Sequence, residues 1–99
     1  MKDTATQTQR GNEMIQIQDT FRQKACGNDY FYATMADGKH EATITVCRGD
    51  FGYIGVCVHN AANRAWRGLG KQFPTVEAAL ANYKTPAIRS MIEEAVRMA

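Results

Sequence analysis

The chain has 99 residues, of which 44% are hydrophobic and 22% charged, and its formal net charge is +2. This length fits one domain, because a single hydrophobic core usually serves about 100–150 residues. The composition excludes wholesale disorder, a collagen-like repeat and a coiled coil, and the sequence has no apolar run of the ~20 residues that a membrane span needs.

The N-terminal residues contain little that a core could bury. Residues 1–9 are polar and lack the apolar stretch of a secretory signal, so we expect a cytoplasmic protein. In that reducing compartment the 3 cysteines, an odd number, are expected to remain thiols. Residues 1–12, rich in Thr, Gln and charge, are predicted to be a disordered tail, and residues 13–99 the single domain.

Residues 13–25 fit two kinds of secondary structure. Met14, Ile17 and Phe21 recur at helical spacing. Ile15 and Ile17, however, alternate with glutamines as in a strand. We interpret the segment as an N-terminal helix, with a strand as the alternative.

The middle of the chain changes to a period of two, which is typical of β-strands. The predicted strands span residues 30–35, 41–47 and 53–59, and the predicted turns lie at residues 27–29, 37–38 and 49–52. Residues 64–68 could add a short fourth strand. Because each turn is short, successive strands are expected to pair as an antiparallel meander.

Two helix starts follow the strands. Thr75 is a candidate N-cap, with Glu77 favourable in the first turn. Thr85 can cap a second helix, for which Pro86 suits the first position. The predicted fold is therefore α+β, with a three- to four-stranded antiparallel meander packed on C-terminal helices.

The expected turns sort the strand residues onto two faces. A loop at Asp37-Gly38 would place Phe31 near Ile44, and a loop tip at residues 51–53 would place Val46 near Val58, by residue counting. The apolar set, which we call the core face, is Phe31, Ala33, Met35, Ala42, Ile44, Val46, Ile54, Val56 and Val58. The other set, which we call the open face, is Tyr30, Tyr32, Thr34, Glu41, Thr43, Thr45, Cys47, Gly55, Cys57 and His59.

The open face is aromatic and rich in hydroxyl groups, and Glu41 is its one charged residue. Centres of protein–protein interfaces are similarly depleted in charge and enriched in tyrosine. Tyr and Thr also line many sheet surfaces for structural reasons alone, because both have high β-propensity. The face is thus a candidate partner surface, with a structural role as the alternative.

Two thiols and a histidine on this face are candidates for a metal site or a catalytic site. Cys47 and Cys57 are expected to lie opposite one another, with His59 two residues further along the chain. A fourth metal ligand is lacking, and no Asp or Asn is placed to orient His59. We therefore predict neither a metal site nor a cofactor, and we expect that the protein is not an enzyme.

A basic segment follows the last predicted strand. Residues 51–76 contain no acidic residue but include Arg64, Arg67 and Lys71. Alternating Arg, Trp66 and Arg suits stacking on bases and neutralisation of phosphates. The alternative is that Trp66 fills the core while the arginines stay exposed.

Two resemblances add to this interpretation. The predicted order of helix, three strands and helix resembles a double-stranded-RNA-binding domain, and Gly68-Leu69-Gly70-Lys71 stands where that family has its Gly-rich approach to the last helix. That family then has a lysine-dense helix start, whereas residues 72–75 here are Gln, Phe, Pro and Thr. This resemblance therefore implies a topology without the phosphate-binding site.

Residues 71–79 carry the second resemblance. A strand, an aromatic residue, a capping Thr and Glu-Ala entering a helix are similar to the sheet-plus-helix modules of phages and plasmids. These modules include arm-type DNA-binding domains of recombinases and small anti-CRISPR proteins. The resemblance covers residues 53–83 and implies a small inhibitor of a host complex.

These observations predict a non-enzymatic protein-interaction module that inhibits a nucleic-acid-handling complex, such as a CRISPR effector. The alternative is a small DNA- or RNA-binding module that uses the basic segment. No small-molecule substrate and no membrane partner are evident. The predicted partner-binding residues are Tyr30, Tyr32, Tyr53, His59, Arg64, Trp66, Arg67 and Lys71.

Overall fold

The computed structural model describes the backbone of residues 7–10, 13–59 and 70–99, and the side chains of residues 15–59 and 70–99. Its strands form one antiparallel sheet in chain order, followed by two helices, so the α+β prediction is confirmed. The strands are β1 (Gln7–Arg10), β2 (Glu13–Ala25), β3 (Asn28–Ala36), β4 (Glu41–Gly49), β5 (Tyr53–His59) and β6 (Lys71–Phe73). The helices are α1 (Val76–Asn82) and α2 (Pro86–Met98).

The predicted N-terminal helix is wrong, because residues 13–25 form the long strand β2. The register shifts between Ile17 and Asp19, as at a β-bulge. A bulge inserts one extra residue and so reverses the alternation of side chains after it. Ile15 and Ile17 consequently lie on the core face, whereas Phe21 lies on the open face opposite Tyr32. The helix-like spacing of Ile17 and Phe21 thus arises from a bulged strand.

Both edges of the observed sheet also differ from the prediction. β1 lies inside the segment that was predicted to be a disordered tail, and it pairs with the start of β2. The rest of that tail, residues 1–6 and 11–12, lies outside the described residues, as does the predicted fourth strand at 64–68. β6 instead adds the strand after β5, pairing Gly55 with Gln72.

The β3–β4 hairpin keeps the predicted faces but not the predicted pairs. Phe31 lies opposite Val46 rather than Ile44. The loop comprises residues 37–40 instead of two residues, and Asp37 closes it by accepting hydrogen bonds from the backbone N–H of Lys39 at 3.0 Å and of His40 at 2.6 Å. The β4–β5 hairpin is centred on residue 50 instead of residue 52, so Val46 lies opposite Ile54 rather than Val58. Both shifts are an even number of residues, which preserves the face of every side chain.

The two loops at the other end of the hairpins are joined through Asn28. Cys26 and Gly27 form the β2–β3 turn with φ angles of 53° and 81°, as in a two-residue hairpin of type I′. Asn28 follows the turn as the first residue of β3, and its Oδ1 accepts a hydrogen bond from the Phe51 N–H at 3.1 Å. Gly49 permits this approach, because a Cβ there would lie 2.5 Å from that Oδ1.

Both helices pack on the core face. The residues with no exposed surface in this layer are Ile15, Ala33, Met35, Ala42, Ile44, Ala79, Met91, Ile92 and Ala95. Thr75 caps α1 as predicted, accepting a hydrogen bond from the Ala78 N–H at 3.0 Å. Thr85 makes no side-chain capping bond, although Pro86 occupies the predicted first position of α2. Neither helix of the described residues combines the length and apolar character of a membrane span.

Candidate functional site

The open face is the side of the sheet opposite both helices, and cross-strand pairing arranges its side chains in rows. The rows nearest the Cys26–Gly27 turn form what we call the aromatic half. One row contains Gln23, Tyr30, Cys47 and Tyr53, and the next contains Phe21, Tyr32, Thr45, Gly55 and Gln72. None of these positions carries a charged side chain.

Ring contacts hold the aromatic half together. The rings of Tyr30 and Tyr32 are nearly parallel, at 8°, with their centroids 6.2 Å apart. The Phe21 ring lies 5.8 Å from that of Tyr32, and 56% of Phe21 is exposed. The aromatic half therefore offers a large apolar side chain to solvent on a platform held in place by the sheet.

Gly55 keeps the centre of this half concave. A Cβ at Gly55 would lie 3.2 Å from Thr45 Cβ, so a larger residue would crowd Thr45, and it would also touch the Tyr53 ring at 3.5 Å. The resulting depression has a volume of about 370 Å³ and is lined in part by Tyr32, Lys71 and Gln72. Such a depression can receive one side chain of a partner.

The pKa values of Tyr30 and Tyr53 lie above the ordinary value for tyrosine, so both phenols are neutral at physiological pH. Burial raises the pKa of Tyr53, and the nearby Cys47 thiol and the other two tyrosines raise it further. Burial and Cys47 also raise the pKa of Tyr30. Neutral phenols both donate and accept hydrogen bonds, so this surface is polar without being charged.

The other end of the open face is a network of hydrogen bonds. The hydroxyls of Thr34 and Thr43 lie 3.0 Å apart, and Thr43 Oγ1 lies 3.0 Å from His59 Nε2. His59 Nδ1 lies 3.4 Å from Glu41 Oε2, and the imidazole has no exposed surface. We expected no Asp or Asn to orient His59, and the neighbouring carboxylate is that of Glu41, which lies near Nδ1 without a hydrogen bond to it. The order hydroxyl, imidazole and carboxylate matches that of nucleophile-activating sets. Here the enclosed imidazole of β5 contacts Thr43 of β4, which in turn contacts Thr34 of β3.

The thiols do not form the predicted pair. Cys47 lies opposite Tyr53 and Cys57 opposite Thr43, so the two thiols are not cross-strand neighbours. Cys26, Cys47 and Cys57 all remain reduced, and Cys47 Sγ donates a hydrogen bond to the Phe51 carbonyl at 3.2 Å. Within the described side chains, no three of His, Cys, Asp and Glu are grouped as metal ligands.

The predicted partner-binding residues are only partly brought together. Tyr30, Tyr32 and Tyr53 lie in the aromatic half, with the exposed Lys71 at its edge. His59 lies at the opposite end of the open face, where it is buried. Arg64, Trp66 and Arg67 lie outside the described residues.

Sequence reasoning missed Phe21, the most exposed ring of the aromatic half. Its side chain reaches the open face only because of the bulge in β2, and no residue in that stretch signals a bulge. The site therefore consists of two aromatic rows without charged residues, with Lys71 at their edge, beside a hydrogen-bonded network. Comparison with known protein families, curated proteins and solved structures finds no match to this chain.

Proposed function

We propose that the protein is a non-enzymatic interaction module that binds a protein partner through the aromatic half of the open face. The observation that carries this proposal is the cluster of Phe21, Tyr30, Tyr32 and Tyr53 without a charged residue in either row. Solvent-facing sheets usually carry charged side chains, whereas interface centres exclude them and are rich in tyrosine.

The geometry of the cluster suits strong binding. Aromatic residues are prominent among the side chains whose truncation costs a complex about 2 kcal/mol or more. Tyr32 is held between Phe21 and Tyr30, so its ring loses little freedom when a partner covers it. The adjacent depression can receive an anchoring side chain from the partner protein.

For the partner, we propose a host complex that handles nucleic acid, with the protein acting as its inhibitor. This choice depends on the resemblance of residues 71–79 to modules of phages and plasmids. The same run contains β6, the Thr75 cap and the start of α1, which is the order those modules have. A CRISPR effector is one complex of this class.

A pull-down from host lysate tests the proposal. The tagged protein should recover one stoichiometric complex, and Phe21→Ala with Tyr32→Ala should reduce recovery about tenfold or more, because two neighbouring anchors are removed. Lys39→Ala with Glu77→Ala is the matched control, since both residues are exposed and lie off the open face. Equal recovery by the two double variants, with unchanged unfolding midpoints, would contradict the proposal.

Direct nucleic-acid binding through Arg64, Trp66, Arg67 and Lys71 is the competing explanation. It predicts that the purified protein binds DNA or RNA with an affinity that falls steeply with salt. If that binding is lost in Arg64→Glu with Arg67→Glu and kept in Phe21→Ala with Tyr32→Ala, the alternative holds and the aromatic half is not the binding site.

A further inference from the structure

The core face extends beyond the end of α2. The helix ends at Met98, whose carbonyl accepts a hydrogen bond from Arg22 Nη2 at 2.8 Å. Cross-strand pairing places Arg22 beside Phe31, and the next row toward the turn contains Lys24, Asp29 and Arg48. Phe31 and Val46 in the Arg22 row are buried, whereas Lys24, Asp29 and Arg48 in the last row are exposed.

A cleft of about 320 Å³ occupies this position. Phe31 and Val46 contribute the apolar base, and the aliphatic stems of Arg22, Lys24 and Arg48 contribute the walls. Its volume falls within the range of about 300–1,000 Å³ that is usual for small-molecule sites. Most of its lining lies on the core face, and Gln23 and Tyr30 of the aromatic half also contribute to it.

The charges around the cleft are mainly positive. Arg22, Lys24 and Arg48 line it, against the single acidic side chain of Asp29. Lys24 Nζ lies 3.6 Å from Asp29 Oδ1, but both side chains are largely exposed, so this pair is weak. Arg22 is fixed by its stack on the Phe31 ring, with the guanidinium carbon 4.5 Å from the ring centroid.

We propose that this cleft binds a small organic anion with an apolar body, in the class of aromatic carboxylates and sulfonates. The apolar base and side-chain stems would cover the body of the ligand. Arg48, exposed at the rim, and Arg22 would donate hydrogen bonds to its anionic group, for which guanidinium geometry is well suited. This site shares Gln23 and Tyr30 with the proposed partner surface, but its apolar base and its charged rim lie on the core face.

The test is a titration of the ¹⁵N-labelled full chain with 2-naphthoate, followed by amide chemical shifts. We expect saturable shifts in residues 22–24, 29–31 and 46–48. The uncharged 2-naphthalenemethanol should bind about tenfold more weakly or worse, because it cannot accept a charge-assisted hydrogen bond.

Two variants complete the experiment. Arg48→Glu should weaken naphthoate binding about tenfold or more, since it reverses a charge at the rim. Lys39→Glu is the matched control, with the same charge change in the loop at the far end of β4, and should leave the affinity unchanged. Lys24→Glu replaces Arg48→Glu if the latter does not fold.

Three results would overturn the inference. The first is the absence of saturable shifts with naphthoate. The second is shifts confined to the aromatic half on the other side of the sheet. The third is equal binding of the charged and uncharged compounds, or of the Arg48→Glu and Lys39→Glu variants.

Discussion

At the scale of single residues, three tyrosines on one face of the sheet form most of the aromatic half. Tyr30 and Tyr32 were predicted on one face from the period of two, and cross-strand pairing confirms that placement and adds Tyr53, which was expected at a loop tip. For other residues, the predicted partners were wrong because the loops lie at other positions in the chain. A β4–β5 tip at 51–53 would not place Glu41 opposite His59, whereas a hairpin centred on residue 50 does. Sequence patterns identify a face readily, but residue pairs depend on turn geometry.

The raised pKa of Tyr53 predicts a loss of stability in alkali. Burial, Cys47 and the neighbouring tyrosines raise the pKa of Tyr53 above 10.0, so the folded chain holds this proton more tightly than the unfolded chain. Stability is therefore complete below the unfolded value of about 10 and is lost as pH rises through the folded value.

Tyr53→Phe removes this contribution. Urea denaturation at about pH 8 and about pH 11 should show the wild type losing more of its free energy of unfolding than the variant between those two values. The same loss in wild type and variant would contradict the assignment of the raised pKa to Tyr53.

At the scale of elements, β2 shows where sequence reasoning reached its limit. A bulge moves apolar residues to opposite faces with an irregular spacing that a helical pattern also fits. The helix-forming signals at Thr75 and Pro86 are local, and so they were recognised correctly. Pairing of β1 with β2 depends on backbone hydrogen bonds, which polar sequences form as readily as apolar ones, and composition therefore favoured a tail.

The contact between the β2–β3 turn and the β4–β5 loop gives a prediction for Gly49. Its φ of 138° suits glycine, and an added Cβ would lie 2.5 Å from Asn28 Oδ1 and 2.6 Å from the Gly27 carbonyl oxygen. Gly49→Ala should lower the free energy of unfolding by about 2–4 kcal/mol, because it combines backbone strain with a collision against backbone.

Gly38→Ala provides the matched control for this loop contact. Gly38 also has a positive φ, of 97°, but an added Cβ would meet nothing within 4 Å. Its cost should therefore be limited to backbone strain, about 1 kcal/mol, in the same urea denaturation measurement. An equal cost for the two substitutions would show that the loop contact is unimportant.

At the scale of the whole molecule, one layer of helices leaves the sheet with two chemically different surfaces. The core face is covered by α1 and α2 except near Arg48, where a basic cleft remains. The open face is divided into a charge-free aromatic half and a hydrogen-bonded half. With a net charge of only +2, the chain has no strong overall field, so recognition depends on these local surfaces.

The central claim is that a protein partner covers the aromatic half, and photo-cross-linking in host lysate tests it most directly. A photo-cross-linking phenylalanine analogue would replace Phe21 or Tyr32 in one pair of samples, and the exposed Lys84 or Glu77 in a second pair on the helical side. We predict one covalent adduct of defined mass from positions 21 and 32, and none from 77 and 84. An adduct from the helical positions alone would contradict the proposed binding face.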